Sequence, residues 1–347
     1  MIKAISLPVI ARSAAAKQSS WIATARCARL AMTTLIGVAA LDVFAAEEAV
    51  DSRFRLTKPD PLMGDWQGTP GYVAQVMPTD DGKYQANVFK AFDEPDAKPL
   101  AILKGQAAAL SGDGWAGAMA GGHFKAGKGS ESFDFQHITR TPPTLSAKPP
   151  AGAVVLFDGK NLDAWAKKAG KDWLKPDGPA PWKLVDGAAE VVPDTGGGII
   201  SKKVFGDFHL HAEFRTLGAP SNSGIYLQTR YEANINETYG QLTGTPNGGF
   251  DNCTPKSAAP KIRASRPPLE WQTFDIDFRA PRFDATGGKT APARVTLLLN
   301  GAKLYDDQEL SLPTGAAGRL GEAPTGPLML QEHGMPVQFR NIWLVEK

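Results

Sequence analysis

The sequence predicts an all-β protein, and three observations predict it. Gly 36 and Pro 27 among 347 residues are high for a helical protein and ordinary for one made of strands and turns. Short runs alternate apolar and polar side chains, the period-2 mark of a strand with one buried face. Helical periodicity is weak throughout the second half. The length allows two domains, and the chain reads as a small antiparallel β domain over 60–140, a Pro-rich linker over 141–152 and a larger β domain over 153–347.

The first 45 residues read as an export segment. Lys3, Arg12, Lys17, Arg26 and Arg29 precede the apolar run 30–45, which ends in the small-residue stretch Val43-Phe44-Ala45-Ala46. That run is shorter than the roughly 20 residues a spanning helix needs, so stable membrane insertion is not expected. Removing the segment takes away five basic residues and one acidic residue and turns the formal +2 into about −2. A nearly neutral, slightly acidic surface argues against nucleic acid as a partner. Of the two cysteines, Cys27 and Cys253, only Cys253 would remain. An internal disulfide and a cysteine zinc site are thereby excluded. A periplasmic or secreted protein is expected.

Between 60 and 140, alternating runs such as Lys83–Phe89 and Ser132–Ile138 are punctuated by Asp80-Asp81-Gly82 and Ser111-Gly112-Asp113-Gly114. Thr141-Pro142-Pro143 and Lys148-Pro149-Pro150 then make a stiff connector. Beyond it, strands are expected at 153–157, 182–192, 207–217, 223–235, 270–279, 293–305 and 336–345. The stretch 236–269, rich in Gly, Pro and Asn, is too long for a passive loop and is expected to wall one side of a groove.

Two polar-patterned strands supply the candidate site. In 209–215, His209, His211, Glu213 and Arg215 share one face and Leu210, Ala212 and Phe214 the other. In 226–232, Tyr226, Gln228, Arg230 and Glu232 line up against Leu227, Thr229 and Tyr231. Charge on one face and an apolar backing on the other suit a sheet that holds a polar ligand. Glu213 and Glu232 are the foremost carboxylates, although cross-strand ion pairs with Arg230 or Arg215 would explain either. Asp275 and Asp277 repeat the pattern in 271–278. His333, in Leu330-Gln331-Glu332-His333-Gly334, sits at the end of an apolar run and can act as acid, base or metal ligand; a structural hydrogen bond is the plainer account. His209 and His211 alternate as metal ligands do, but no third ligand is placed. Trp165, Trp173, Trp182 and Trp271 are either sugar platforms or core. Asn222-Ser223-Gly224 reads as a turn. A serine-hydrolase elbow and a P-loop are both missing.

Four stretches resemble the 3-keto-disaccharide hydrolase family. They are Val155-Leu156-Phe157-Asp158-Gly159-Lys160-Asn161-Leu162; Phe205-Gly206-Asp207-Phe208 leading to Glu213-Phe214-Arg215; Asn222-Ser223-Gly224-Ile225-Tyr226; and His333-Gly334 leading to Phe339-Arg340-Asn341-Ile342. The resemblance covers about 152–347. It implies a concanavalin A-like jelly roll and a carbohydrate substrate, a glycoside oxidised at C3 of its sugar. It also implies proton abstraction at C2, β-elimination of the C1 substituent and hydration, with a divalent metal ion for the enolate and no organic cofactor. Glu232, His333 and Glu213 are the expected catalytic residues. Arg215, Gln228, Arg230, Tyr226, Asp277 and Gln331 would position the sugar, and the metal ligands stay unassigned. Where the family usually reads Val-Gln, a hydrophobic residue and Asp, this chain has Ala233-Asn234-Ile235-Asn236-Glu237. The rival expectations are a non-catalytic carbohydrate-binding jelly roll and a conventional two-carboxylate glycoside hydrolase.

Overall fold

Alternation of side chains organises both parts of the computed structural model, which describes residues 55–347 apart from 70, 80, 256 and 257. The expected export segment 1–45 lies outside the described residues. Eight strands follow first: β1 (Gly64–Thr69), β2 (Val73–Pro78), β3 (Tyr84–Phe89), β4 (Ala101–Gln106), β5 (Ala109–Gly112), β6 (Trp115–Ala120), β7 (His123–Lys128) and β8 (Glu131–Ile138). Each pairs with the next, and β1 closes on β8 to make a barrel. Trp66, Val76, Val88, Leu103, Phe124 and Phe135 fill it. Closure leaves the sheet no free edge.

The rest is a two-sheet sandwich. Its strands are β9 (Val154–Phe157), β10 (Trp165–Ala169), β11 (Asp172–Pro179), β12 (Lys183–Val185), β13 (Ala188–Glu190), β14 (Ile199–Phe205), β15 (Phe208–Thr216), β16 (Asn222–Leu227), β17 (Tyr231–Asn236) and β18 (Gln272–Arg279). After a small hairpin, β19 (Arg282–Phe283) and β20 (Lys289–Ala291), come β21 (Ala293–Leu299), β22 (Ala302–Leu310), β23 (Gly326–Leu330) and β24 (Val337–Glu346). A six-stranded sheet runs β11-β10-β14-β23-β16-β17; the eight-stranded sheet runs β12-β13-β24-β15-β18-β21-β22, with β9 also on β24. Leu210, Phe214, Ile276 and Phe339 from one sheet meet Ile225, Ala233, Leu328 and Leu330 from the other in a shared core. The all-β jelly-roll expectation holds.

Three expected single strands are hairpins instead. Asp186-Gly187 divides 182–192, and Asn300-Gly301 divides 293–305. Both dipeptides lie at positive φ, the conformation that two-residue hairpin turns need. The stretch 223–235 folds back at Gln228–Arg230, with Gln228 and Thr229 at positive φ. That turn lacks the Asn-Gly signal, which is why alternation alone suggests an unbroken strand. Asn222-Ser223-Gly224, read as a turn, opens β16.

The expected polar face of β15 forms, but it does not line a groove. The linker lies across it. Ser146 N donates to Glu213 Oε1 (2.5 Å), Thr144 Oγ1 to Asp275 Oδ2 (2.6 Å), and Asn341 Nδ2 to Ala147 O (2.9 Å). Arg340 Nε donates to Glu213 Oε2 (2.6 Å). The His211 ring stacks on Trp343 at 5.0 Å, with Nδ1 2.7 Å from Asp275 Oδ1. Glu213 and His211 are both 0 % exposed. The barrel is also tied to the sandwich through the segment after β17: Tyr239 Oη donates to Asp65 Oδ1 (2.9 Å) and Asn87 Nδ2 to Gly240 O (2.7 Å). Further on, Gly248 N and Gly249 O bond to Asn234 along the edge of β17, and Phe250 and Cys253 enter the core. The 236–269 segment is therefore a docking and core-filling element as well as a border to the β17 edge.

Burial would push the Glu213 carboxyl up, but His211, Asn341, Arg340 and the Ser146 amide outweigh it and hold it at about 2. Burial opposes charge on His211 too, and Asp275 and Glu213 together raise its pKa regardless. The carboxylate therefore stabilises the fold above its ordinary 4.5, and this is lost as pH falls through about 2. The imidazolium stabilises below its ordinary 6.5, and this is lost as pH rises through its raised folded value. Both contributions are complete between about 4.5 and 6.5. Glu213→Gln should lower unfolding stability by about 3 kcal/mol, measured by urea denaturation at pH 6. A variant with unchanged stability would remove Glu213 from the linker clamp.

Candidate active site

The register of the six-stranded sheet places five side chains in one row across its outer face, turned away from the core. Ala166 of β10 faces Ile200 of β14; Ile200 faces Met329 of β23; Met329 faces Tyr226 of β16; Tyr226 faces Glu232 of β17. The middle of the row is covered. Ala317 and Leu320, from a 3-10 helix at Gly315–Leu320, pack on Ile200, Tyr226 and Met329 together with Trp173. At the β17 end, Glu232 N donates to Thr314 Oγ1 (2.9 Å), which also meets Cys253 Sγ at 2.8 Å.

Glu232 is the focus. Its Oε2 accepts from Tyr226 Oη at 2.7 Å. Its Oε1 lies over Gly224, where an added Cβ would come within 2.5 Å of it and 2.8 Å of Cγ. Glycine at 224 thus clears the space that the carboxyl occupies. Burial raises the Glu232 pKa to about 7, with Asp251 adding to the rise and the Tyr226 hydroxyl opposing it. Such a carboxyl exchanges a proton readily near neutral pH. The phenol of Tyr226 is pushed well above its usual value by burial and by Glu232, and so stays protonated.

One step along the strands, Gly224 faces Asn234, and Gln331 N donates to Gly224 O (2.9 Å). Gln331 Nε2 donates to Tyr226 Oη (3.2 Å). Among the described residues, Gln331 Oε1 and Asn234 Nδ2 are buried without a partner, the kind of group that water or a ligand pairs. The β10–β11 hairpin curls over this face. Trp173 of β11 reaches Tyr226 edge-on with ring centroids 6.0 Å apart, although three strands separate β11 from β16 in the sheet. Lys168 and Arg319 lie over the Trp173 ring, at 5.2 and 4.5 Å.

The structure therefore brings Glu232, Tyr226 and Gln331 together. His333 is exposed two residues beyond Gln331, next to Glu332, whose carboxylate accepts from Gly197 N and Gly334 N. The remaining candidates lie elsewhere. Glu213 is under the linker on the opposite sheet. Asp277, on the same sheet, is held by Lys347 and His209. Arg215 donates to Gln338 and stacks with Arg340 on Trp271. Gln228 and Arg230 belong to the β16–β17 turn, and their donors go to the Phe205, Pro324, Gly321 and Gln228 carbonyls. Trp165 and Trp182 are core. Sequence patterning missed Lys168 and Asn234 as site residues, and left Trp173 open between sugar platform and core. Of these, Asn234 carried a signal, as a departure from the family pattern beside Glu232. The companion departure, Glu237, is buried, accepts from Thr216 Oγ1 and has its pKa raised by burial to about 7.

A divalent ion needs several hard or borderline donors converging on one point. Among the described residues no group of three or more His, Cys, Asp or Glu does so. Around Glu232 the neighbours are a phenol, two amides, a hydroxyl, the Cys253 thiol and the Asp251 carboxylate, which do not form a ligand group with it. This donor set does not fit the ion expected from the resemblance.

The fold and this face define a jelly-roll domain with a buried carboxyl of raised pKa on the outer face of its smaller sheet. The chain belongs to the 3-keto-alpha-glucoside-1,2-lyase-like domain family, whose model matches residues 152–345. It is also similar to a solved candidate glycosyl hydrolase from Parabacteroides distasonis, 33% identical, covering 57% of this chain and 85% of that one with a TM-score of 0.50. A second structure so described from the same organism is 21% identical, covers 56% and 94% of the two chains and gives a TM-score of 0.40. No curated protein matches the chain.

Tyr226→Phe removes a bond that favours the ionised carboxyl, so the Glu232 pKa should rise further above about 7. Carboxyl carbon NMR titration reads this directly, and a fall would mean that the phenol does not donate to Glu232.

Proposed function

We propose that this face cleaves 3-keto-glycosides by elimination and hydration, with Glu232 as the proton-transferring group. The observation that carries the reading is a carboxyl with its pKa near 7, cleared by a glycine and backed by a protonated phenol. A ketone at C3 acidifies the C2 proton. The Glu232 carboxylate takes that proton, and the C–H electron pair forms the C2–C3 double bond of an enolate. When the C3 carbonyl re-forms, the C1–O bond breaks and the departing oxygen takes a proton. His333, exposed at the rim, is the second proton carrier. Water then adds across C1–C2, its oxygen to C1 and a proton back to C2, giving the free 3-keto sugar. Gln331 and Asn234 offer an acceptor and a donor to the sugar hydroxyls. The basic and then apolar segment 1–45 supports an extracytoplasmic setting for this work.

The test is to incubate the protein with a 3-keto-glucoside and its unoxidised parent, with and without EDTA. Aglycone release from the keto substrate alone is expected. Glu232→Gln should lower it by about 10²- to 10⁴-fold. Because the base must be ionised, kcat/KM should rise with pH until about 7 and then level off. Release from the parent as well would point to an ordinary glycosidase, and sugar binding without release to a binding module.

A further inference from the structure

Lys168 is a lysine in an unusual place. Its side chain is only 5 % exposed, where lysine is rarely buried unless paired. Its ammonium donates to Gly170 O at 3.0 Å, which uses one of three N–H groups. Among the described residues no carboxylate stands within ion-pair distance; Glu332 acts on it only from further away. A half-satisfied buried charge costs stability, so its position calls for a use.

The surroundings build a socket for it. The ammonium lies 5.2 Å from the Trp173 ring. Gly197 leaves room beside it, since an added Cβ would stand 3.2 Å from both Cε and Nζ. Gly197 N in turn holds the Glu332 carboxylate at 2.8 Å. Trp173 joins this socket to the Glu232 corner, because the same ring meets Tyr226, which donates to Glu232. The curled β10–β11 hairpin thus sets a cation on the same outer face as the base, with the Trp173 ring against both Lys168 and Tyr226. Burial, with Arg319 adding to it, lowers the Lys168 pKa, which makes its proton a better one to share.

We propose that the Lys168 ammonium is the electrophile that receives the C3 oxygen of the keto sugar as its enolate forms, in the role a divalent ion was expected to fill. This rests on the reading of Glu232 as base. As Glu232 takes the C2 proton, the carbonyl π pair moves onto oxygen, and the free N–H groups of Lys168 hydrogen-bond to the negative charge. When the carbonyl re-forms and the C1–O bond breaks, that charge leaves and the ammonium is unchanged. A fixed cation aimed at charge that exists only in the transition state lowers the barrier without tightening ground-state binding.

The test uses the full chain and a 3-keto-glucoside in D₂O, following C2 deuteration by NMR alongside aglycone release. Lys168→Met should slow both by on the order of 10²- to 10³-fold while KM changes by less than about threefold. Lys168→Arg, which keeps the charge, should recover at least about tenfold of that loss. Wild-type turnover should survive EDTA. Three results would overturn the proposal: Lys168→Met with near-normal exchange; a loss of release alone, which would move Lys168 to the leaving oxygen; or a requirement for added divalent metal. If Lys168→Met fails to fold, the Lys168→Arg exchange rate and the EDTA arm still decide. A wild-type protein that neither exchanges nor cleaves overturns the Glu232 reading and this one together, whereas exchange lost in Glu232→Gln but kept in Lys168→Met sinks this one alone.

Discussion

The register between β16 and β17 governs what this domain can do. Side chains alternate strictly along a strand, so sliding the pair by one residue would exchange every inward side chain for an outward one. In the observed register Ile225 and Ala233 face the core and Tyr226 faces Glu232 outside. A slip would put Glu232 into an apolar core and Ile225 onto the surface, at a cost of several kcal/mol for the buried carboxylate alone. The three-residue turn secures the register through buried contacts: Arg230 N to Leu227 O, Gln228 Nε2 to two carbonyls, and Thr229 Oγ1 to Pro327 O. These bonds reach β14 and the approach to β23. The turn thereby locks together the strands that carry Tyr226, Glu232, Met329 and Gln331. Gln228 and Arg230 serve the site by holding its strands.

Glu213 and Glu232 show how surroundings separate two identical side chains. Each is buried, each sits on the outward face of a strand, and burial alone would raise both pKa values. Glu213 meets a histidine, an arginine, an asparagine amide and a backbone amide, and stays ionised to about 2. Glu232 meets one phenol and the like charge of Asp251, and its pKa is raised to about 7. Saturated hydrogen bonding makes the first an anchor for the linker. Sparse bonding leaves the second free to exchange a proton. Glu237 shares the raised value but is sealed at the barrel side by Thr216 and the Tyr239 amide, with no open face for a substrate.

Much of this was legible in the sequence, and the failures have physical causes. Alternation found the outward faces of β15 and β18 correctly, because period 2 is a local property. It could not tell which sheet each face belonged to, or that Thr144–Ala147 would cover one of them. Both facts depend on contacts more than sixty residues apart in the chain. Tyr226 lies in a family motif, and Glu232 and Gln331 stood out in the polar stretches 226–232 and 330–334. Lys168 escaped, and Trp173 stayed open between platform and core, because the β10–β11 pair is bulged, with no clean alternation to mark its faces. The missed hairpin at Gln228–Arg230 lacks glycine at either positive-φ position, so its turn is imposed by the buried bonds around it and has no local signature.

The two outer faces of the sandwich carry opposite polar strategies. Beneath the linker, carboxylates, imidazole and indole are paired with one another and with linker backbone, and a nearly complete network of this kind adds rigidity. On the six-stranded sheet, an amide oxygen, an amide N–H and an ammonium are left short of partners on one face, together with a carboxyl that is half ionised at neutral pH. Each such shortfall costs stability of about 1–3 kcal/mol, and several in one place on a folded surface are hard to explain as accident. A ligand bearing a carbonyl and several hydroxyl groups would satisfy them all at once. Before binding, their lack of partners keeps them from forming internal bonds that the ligand would have to break. The proposed oxidised sugar would answer this deficit with an acceptor for the cation, an acidic C–H for the carboxylate, and hydroxyl groups for the two amides.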